Sequence, residues 1–302
     1  MPELPDLTVY LEALAQRLMG QRFERLELRN PFLLRSVTPA PQDLAGRPVV
    51  ALRRLGKRLV IGLEGDLWLV LHLMIAGRLA WAADPAAPRA RNVLALLRFE
   101  SGVLAITEAG SKRRAALHLV AGGEALAAHD PGGLEVLETS SAAFATRLRN
   151  RNHTLKRALT DPHLLAGIGN AYSDEILHAA RLSPIALTQK LTDEEMLQLH
   201  SACRAVLVEW TTRLRETCGA AFPAKVTAFR AGMAVHGRYR LPCPVCAAPV
   251  QRIRYADHET NYCARCQTGG RLLADRALSR LLKQDWPRSL EELERGVSSQ
   301  PI

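Results

Sequence analysis

Four cysteines in two C-x-x-C pairs constrain the C-terminal part of the chain more than any other feature. Cys243 and Cys246 form the first pair and Cys263 and Cys266 the second, with sixteen residues, 247–262, between them. Each pair offers two thiolates to one tetrahedral zinc ion, and the intervening residues have the length of a hairpin. Disulfide bonds are the alternative, but a reducing compartment, which we expect here, disfavours them. Because protein ligands fill all four positions, the predicted ion stabilises the module and does not catalyse.

The charge balance of the chain favours a polyanionic partner. Its 302 residues carry a formal net charge of +10 at pH 7. Such an excess suits a polyanion better than an acidic substrate or a membrane. No cationic leader followed by an apolar run occurs near the start, and no apolar run is long enough to span a bilayer. We therefore predict a cytoplasmic protein, and we expect it to be a monomer.

Apolar residues recur at helical spacing near the start of the chain and in short runs after it. The spacing of Leu7, Tyr10, Leu14 and Leu18 predicts a helix from about residue 6 to residue 18, ended by Gly20. Two later stretches, VVALRRLGKRLVIGLEGDLWLVLHL and NVLALLRFESGVLAITEAG, contain apolar runs separated by turn residues. They predict an antiparallel β-sandwich that reaches about residue 130 and carries one helix at its N-terminus.

Changes in composition mark the limits of this region. Residues 83–91 and 121–133 are rich in Ala, Pro and Gly, which predicts loops, and we take the second as a domain boundary. Helical spacing follows from about residue 140 to 225. Within it, the run RLRNRNHTLKR, which includes Arg151 and Lys156, precedes the turn LAGIGNAYSDE. Such a run is usually a solvated helix face. The turn, however, can present backbone N–H groups and the Asn170 side chain to a phosphate.

Four separated motifs together resemble one known family. MPELPDLTVY, GKRLV, GIGNAYSDEIL and NYCARCQ occur in the order typical of the bacterial, zinc-finger-containing formamidopyrimidine-DNA glycosylase and endonuclease VIII family. The resemblance covers residue 1 to about residue 270. It implies a multidomain α+β protein with a β-sandwich (1–130), a helix-two-turn-helix domain (131–235), a four-cysteine zinc finger (236–270) and a C-terminal helical extension (271–302).

The same resemblance implies a DNA-repair enzyme that excises a damaged base and cleaves the abasic site. Once Met1 is removed, Pro2 is a secondary α-amine with an ordinary pKa of about 8, so an appreciable fraction is free base at neutral pH. Pro2 then matches the nucleophile that forms a Schiff base, and Glu3 matches the family's acid. Asp6 stands where the family usually has a supporting glutamate. Lys57 matches a hairpin lysine that contacts phosphate and assists as a proton donor, although an ordinary exposed strand lysine is the alternative.

Several positions depart from the family pattern. Asn170 matches a phosphate-binding asparagine, but His258 replaces an arginine that contacts phosphate and assists the second, δ elimination. Ile75 stands at the position of a Met that fills the gap left by the flipped base. Arg113 and Arg114 are kept, but Ala115 follows them where an aromatic wedge is expected.

These departures leave three functions open. One is a bifunctional glycosylase and abasic-site lyase. Another is a lyase or narrow-specificity repair enzyme without 8-oxoguanine activity, acting on damaged duplex or single-stranded DNA. The last is a non-catalytic protein that binds damaged DNA.

The C-terminal tail extends beyond the family pattern. Leu273, Ala277 and Leu281 lie at helical spacing and Pro287 ends the run, which predicts a helix. Packing against the body or the finger and binding of a partner protein are both open.

Overall fold

The computed structural model describes residues 1–83, 91–110, 112–223, 226–227, 229–255, 258–274 and 287–298. The chain divides into two units. The first unit contains Met1–Gly133 and Val208–Ala228, and the second contains Leu134–Leu207 and Phe229–Ile302. Both units are therefore discontinuous in sequence.

The first unit contains a helix followed by eight strands. The helix is α1 (Leu4–Leu18), and the strands are β1 (Phe23–Leu28), β2 (Val49–Leu55), β3 (Arg58–Leu63), β4 (Leu67–His72), β5 (Gly77–Ala82), β6 (Val93–Phe99), β7 (Gly102–Glu108) and β8 (Ala116–Ala121). They form two four-stranded sheets with the orders β1-β6-β7-β5 and β2-β3-β4-β8. All neighbouring strands are antiparallel. The predicted α+β class with an antiparallel β-sandwich is confirmed.

One face of α1 packs into the core of this sandwich. Leu7, Tyr10, Leu14 and Leu18 are fully buried and join the strand residues in one apolar cluster. Burial of each such side chain contributes about 1.5–3 kcal/mol to folding. The Tyr10 hydroxyl also accepts a hydrogen bond from the backbone N–H of Leu79 at 3.2 Å. These contacts fix the position of the residues that precede the helix.

The start of α1 differs from the sequence prediction. The helix begins at Leu4, two residues before the predicted start near Asp6. The reason is that Asp6 closes the first turn, where its carboxylate accepts a hydrogen bond from the backbone N–H of Glu3 at 2.9 Å. Pro5 fits there because the first turn of a helix needs no N–H from it. The predicted end is confirmed, since the helix ends at Leu18 and Gly20 follows with φ of +77°.

The two predicted loops have different outcomes. The segment 121–133 is not all loop, because it contains a short helix, α2 (Gly123–Ala127). Leu126 of α2 is buried in a small cluster with Val60, Val70 and Val120, and this burial is the reason that the segment is ordered as a helix. Most of the other predicted loop, residues 84–90, lies outside the described residues.

The second unit combines helices with a β-hairpin. Its elements are α3 (Ser141–Arg149), α4 (Leu155–Thr160), α5 (Asn170–Ala179), α6 (Asp193–Cys218) as far as Leu207, the hairpin of β9 (Val250–Tyr255) and β10 (His258–Cys263), α7 (Ala264–Thr268) and α8 (Leu290–Ser298). The helical region predicted from residue 140 onwards is thus present, and the hairpin lies between the two cysteine pairs.

The described end of the chain packs on the cysteine-containing module. The predicted tail helix falls mainly on residues 275–286, which lie outside the described residues. Helix α8 begins after them, at Leu290, which is 3% exposed. Leu290 and Leu293 join an apolar cluster with Tyr262 and Leu273. This later part of the tail therefore packs on the finger, whereas the predicted tail helix and its two possible roles stay predictions.

Candidate active site and DNA-binding residues

The residues before α1 form a buried acidic turn. Pro2 is buried, and Glu3 and Asp6 are 2% and 4% exposed. The Glu3 carboxyl group follows Pro2 directly, and the Asp6 carboxylate is held by the Glu3 backbone N–H. The structure therefore brings together the three residues that the sequence predicts as nucleophile, acid and supporting carboxylate.

Two cations and two carboxylates surround the amino terminus. Burial lowers the pKa of the Met1 α-amino group below its ordinary value, the charges of Glu3 and Asp6 oppose this, and those of Arg78 and Lys57 lower the pKa further. The Met1 amine is poorly hydrated, so its uncharged form is favoured. Arg78 was not identified from the sequence, because nothing in the pattern of strand β5 marks one arginine as close to the N-terminus.

Lys57 lies in the two-residue turn between β2 and β3. Leu55 and Arg58 are the last paired residues of this hairpin, and Gly56 adopts φ of +57° in the turn. A two-residue hairpin turn requires such left-handed backbone, which glycine adopts without strain. Lys57 is therefore a turn residue rather than an ordinary strand residue, and its charge acts on the amino terminus.

His72 is a partly buried histidine that feels the charge of Lys57, and sequence reasoning missed it. It lies directly opposite Arg58 on the neighbouring strand. Burial and the charges of Arg58 and Lys57 lower the pKa of His72 to about 4. Its Nδ1 accepts a hydrogen bond from the Met74 backbone N–H at 3.1 Å, so the neutral ring carries its proton on Nε2. The signal was present in HLMIAG, where His72 precedes Ile75 by three residues.

The turn that carries Ile75 is tightly constrained. Gly77 donates its N–H to the Leu73 carbonyl at 2.9 Å, and a Cβ atom on Gly77 would lie 2.2 Å from that oxygen. The Arg78 guanidinium donates to the Ile75 carbonyl at 3.1 Å. Ile75 is 59% exposed at this turn, so its side chain is available for contact.

The segment with the two predicted arginines is held by a buried carboxylate. Glu108 is 2% exposed and accepts hydrogen bonds from the backbone N–H groups of Arg114 and Ala115 at 2.9 and 3.0 Å. Arg113 and Arg114 are exposed. Ala115 is 2% exposed and belongs to the sandwich core. Its side chain therefore cannot act as a wedge at the surface, as expected from an alanine at the position where the family has an aromatic residue.

In the second unit, Asn170 is the first residue of α5, and its side chain contacts the hairpin. Its amide Nδ2 donates to the Glu259 carbonyl at 2.9 Å. His258, one residue earlier, begins β10 opposite Tyr255. The His258 side chain lies outside the described part of the chain. Asn170 and the backbone next to His258 are thus neighbours, and the phosphate contacts predicted for the two positions stay predictions.

The two basic residues predicted to bind DNA differ in environment. Arg151 is exposed. The Lys156 side chain is only 15% exposed and pairs with the fully buried carboxylate of Asp174. Its ammonium group also donates to the Asn170 carbonyl at 2.7 Å and to the Ser173 hydroxyl at 2.8 Å. The Lys156 ammonium group thus holds the first turn of α5, and its contact with DNA stays a prediction.

The four paired cysteines converge on one point. Their sulfur atoms all lie within 4.8 Å of one another. The Sγ atoms of Cys243 and Cys266 are 3.9 Å apart, and those of Cys246 and Cys263 are 3.3 Å apart. Tetrahedral zinc–thiolate bonds of about 2.3 Å require sulfur separations of about 3.8 Å, whereas a disulfide requires about 2.05 Å. The donor set fits one structural zinc ion, so the zinc prediction is confirmed.

Comparison with known proteins decides the family. Models of the formamidopyrimidine-DNA glycosylase N-terminal domain, of its H2TH domain and of the zinc finger found in FPG and IleRS match residues 1–130, 133–217 and 240–269. The formamidopyrimidine-DNA glycosylase of Chloroflexus aurantiacus is 34% identical over 88% of this chain and 98% of its own length. The chain belongs to the formamidopyrimidine-DNA glycosylase family.

Solved structures of other family members share the fold. The crystal structure of the Thermus thermophilus protein is 30% identical, with a TM-score of 0.72 over 88% of this chain and 98% of that chain. The Lactococcus lactis protein, in complex with DNA that contains an abasic site, is 24% identical, with a TM-score of 0.78 over 88% and 99% of the two chains.

Membership of the formamidopyrimidine-DNA glycosylase family establishes the class of activity. The protein is a DNA-binding enzyme of base excision repair, a DNA glycosylase and abasic-site lyase. Among the helices that the structure describes, none has both the length and the apolar character needed to cross a bilayer.

Proposed function

We propose that this enzyme acts through a Schiff base on Pro2 and prefers lesions that need little unstacking. The observation that carries the first part is the buried turn in which Pro2 is flanked by Glu3 and Asp6. Lys57 and Arg78 act electrostatically on the α-amino group of Met1, the residue before Pro2. No such constellation is needed for DNA binding alone, so it disfavours the non-catalytic alternative.

In the proposed mechanism, the residues of the first unit move the electrons and protons. The free amine of Pro2 attacks C1′ of the damaged nucleotide, and the bond to the base, or to the hydroxyl of an abasic site, breaks. The leaving group keeps the electron pair of that bond and takes up the proton that the amine nitrogen gives up, so it departs as the neutral base or as water. Glu3 protonates the sugar oxygen as the ring opens and the iminium forms. The iminium acidifies the C2′ protons, and loss of one of them expels the 3′ phosphate in β-elimination.

The phosphate contacts are assigned to neutral and cationic donors in both units. Lys57, with its charge, and His72, with its Nε2–H, supply donors in the first unit. The Asn170 side chain supplies one in the second. His258 replaces an arginine, and an imidazole lacks the guanidinium fork, so we expect the β-elimination product rather than the β,δ product.

The substrate preference follows from the residues that would replace an extruded base. Ala115 is buried in the core and provides no wedge, which leaves Ile75 as the exposed apolar side chain of its turn. Extrusion from an intact stack costs a few kcal/mol, and the cost is lowest for bases that are already unstacked. We therefore propose abasic sites, ring-opened or saturated pyrimidines, hydantoins and single-stranded lesions as substrates, in preference to 8-oxoguanine in duplex DNA.

Borohydride trapping tests the nucleophile. Protein checked by mass for loss of Met1 is incubated with an abasic-site duplex and reduced, and a covalent protein–DNA band is expected. A form with an N-terminal extension that keeps Pro2 in a peptide bond should give no band, and Pro2→Gly, which replaces the secondary amine by a primary one, should give a weaker band. Pro5→Ala, which changes the neighbouring proline, should retain it. A band of wild-type intensity from the extended form would contradict the role of Pro2.

A lesion panel tests the substrate proposal separately. Cleavage of an abasic-site duplex should be faster than excision of 8-oxoguanine opposite cytosine. When the 8-oxoguanine is placed in an unpaired context, its excision rate should move closer to the rate of abasic-site cleavage. Efficient 8-oxoguanine excision from intact duplex would overturn the preference and leave the Pro2 mechanism in place.

We also propose that the enzyme works in the cytoplasm on nucleoid DNA, and that the four-part division inferred from the sequence describes its domains.

A further inference from the structure

Helix α5 contacts the zinc module, defined as residues 240–269, at intervals of one helical turn. Asn170, Asp174 and His178 are four residues apart and therefore share one face of the helix. The Asn170 amide donates to the Glu259 carbonyl at 2.9 Å. The Gln267 amide of the module donates to the Leu182 carbonyl, just after the helix, at 2.9 Å. Between these two contacts lie those of Asp174 and His178.

The contacts in the middle of the helix reach both the approach to the module and its first metal ligand. Asp174 lies 2.8 Å from the Nδ1 atom of His236. Glu175 accepts hydrogen bonds from the backbone N–H groups of Ala234, Val235 and His236 at 2.7–2.9 Å. One turn further along, the Nε2 atom of His178 lies 3.3 Å from the Sγ atom of Cys243.

We propose that His178 is a positioning residue, which donates its Nε2–H to the zinc-bound Cys243 thiolate and thereby couples zinc coordination to the placement of α5. Both partners are buried, with His178 6% and Cys243 2% exposed. A metal-bound thiolate carries no proton and can only accept, so the imidazole is the donor.

The charge of the site gives this hydrogen bond its importance. Zinc with four thiolates carries a net charge of about −2, and burial of that charge is unfavourable unless neighbouring donors offset it. A neutral imidazole N–H supplies such a donor without adding a second buried ion. Outer hydrogen bonds of this kind orient the ligands and raise metal affinity.

The consequence for DNA binding follows from the rigidity of the helix. Asn170 lies eight residues before His178, or about 12 Å along a helix that rises 1.5 Å per residue. Asn170 also contacts the backbone next to His258. Loss of the His178 contact therefore loosens the module that holds the Asn170 side chain. This step rests on the proposed phosphate contact of Asn170.

Zinc release tests the hydrogen bond directly. His178→Leu removes the donor at similar size, and His178→Gln restores a donor at the position of Nε2. His200→Leu is the matched control, because His200 is another buried histidine of the second unit, 3.0 Å from the Thr139 carbonyl and in ring contact with Phe144. We expect zinc transfer to a chelator to be about 10- to 100-fold faster in His178→Leu, restored largely in His178→Gln and unchanged in His200→Leu.

A spectroscopic signature separates the hydrogen bond from simple packing. With cobalt(II) in place of zinc, a hydrogen bond to sulfur lowers the energy of its lone pairs and raises the energy of the thiolate-to-metal charge-transfer bands. His178→Leu should therefore shift these bands to longer wavelength, and His178→Gln should shift them less. The proposal would be overturned if His178→Leu and His178→Gln released zinc at the same rate and neither variant shifted the charge-transfer bands of the cobalt-loaded protein.

A measurement on the unmodified protein guards against a variant that fails to fold. Long-range ¹H–¹⁵N spectra of the zinc-loaded protein report which ring nitrogen of each histidine carries the proton, and His178→Gln identifies the signals of His178. An Nε2–H ring is expected, and an Nδ1–H ring would overturn the proposal.

Affinity for abasic-site DNA then tests the coupling. His178→Leu should weaken binding in the direction of Asn170→Ala. If Asn170→Ala weakens binding and His178→Leu loses zinc faster without any change in affinity, the coupling is wrong and the proposed function of Asn170 stands. If Asn170→Ala has no effect, the proposed phosphate contact fails, and the zinc readouts still judge the hydrogen bond.

Discussion

At the scale of single residues, chemistry that is encoded in neighbouring positions could be predicted and chemistry that depends on distant ones could not. The four cysteines were found because they are regularly spaced in the sequence, whereas Pro2 and Glu3 were assigned through the resemblance to a family, and their roles stay a prediction. His72, Glu108 and His178 were missed, because their partners lie on other elements and no local pattern records them. The ion pair of Lys156 with Asp174 was missed for the same reason, since it forms only in the folded unit.

The acid role of Glu3 predicts a large kinetic effect. Glu3→Gln removes the proton that opens the sugar ring, and we expect single-turnover cleavage of an abasic-site duplex to fall by about 10²-fold or more. Glu12→Gln is the control on the same helix, because Glu12 is exposed and pairs with Arg215 at the surface. Such a pair contributes about 0–1 kcal/mol and no chemistry. A Glu3→Gln enzyme with wild-type rate would remove Glu3 from the mechanism.

The depressed pKa of His72 predicts a specific acid sensitivity. The folded protein binds a proton at His72 only near pH 4, whereas the unfolded chain does so near the ordinary value of 6.5. Stability is therefore unaffected above pH 6.5 and decreases as the pH falls towards 4, by at most about 3 kcal/mol at full effect. His72→Gln does not titrate and should lose less stability over this range. The free energy of unfolding is measured with urea at each pH. An equal loss of this free energy in the two proteins between pH 6.5 and pH 4 would contradict the depressed pKa of His72.

At the scale of elements, hydrophobic spacing predicted most helices and strands, while their ends were set by hydrogen bonds. Helix α1 begins two residues early because Asp6 binds the Glu3 N–H. Helix α2 forms within a predicted loop because Leu126 meets the second sheet. Composition revealed neither contact. A segment rich in Ala and Gly can be a loop or a short helix, and what it packs against decides between them.

Packing of α8 predicts that the tail stabilises the zinc module. Leu290 is buried with Tyr262 and Leu273 in the apolar cluster of the module. Leu290→Ala should destabilise the module by about 2–5 kcal/mol, as is usual for a buried leucine, and should accelerate zinc release. Glu291→Ala, at an exposed position of the same helix, is the control. Thermal unfolding and chelator release measure the two effects, and equal behaviour of both variants would show that α8 does not support the module.

At the scale of the whole molecule, the net charge was a correct guide to the partner, whereas the two compact units do not follow the order of the sequence. The positive charge predicted a polyanion, and the family binds DNA. The segment Val208–Ala228, however, belongs to the first unit although helix α6 begins in the second. Helical periodicity identifies the apolar face of such a helix and does not say which unit covers it.

The same charge predicts a salt-dependent affinity to which Arg151 and Lys156 contribute differently. Each phosphate contact releases counterions, so the logarithm of the association constant falls linearly with the logarithm of salt concentration. Arg151→Ala, which removes an exposed cation, should reduce this slope by about one and leave stability unchanged. Lys156→Met leaves the buried Asp174 without its ammonium partner, so it should cost about 3–5 kcal/mol of stability.

Comparison of the two variants decides whether Arg151 and Lys156 both contact DNA or whether only Arg151 does. Affinity for abasic-site DNA is measured at several salt concentrations, below the unfolding temperature of Lys156→Met. Because the Lys156 charge is already paired inside the second unit, its removal should leave the slope unchanged wherever the variant is folded. An equal reduction of slope in both variants would mean that Lys156 turns outward to DNA. In that case the internal ion pair would have to break on binding, and its free energy would oppose the affinity that the contact provides.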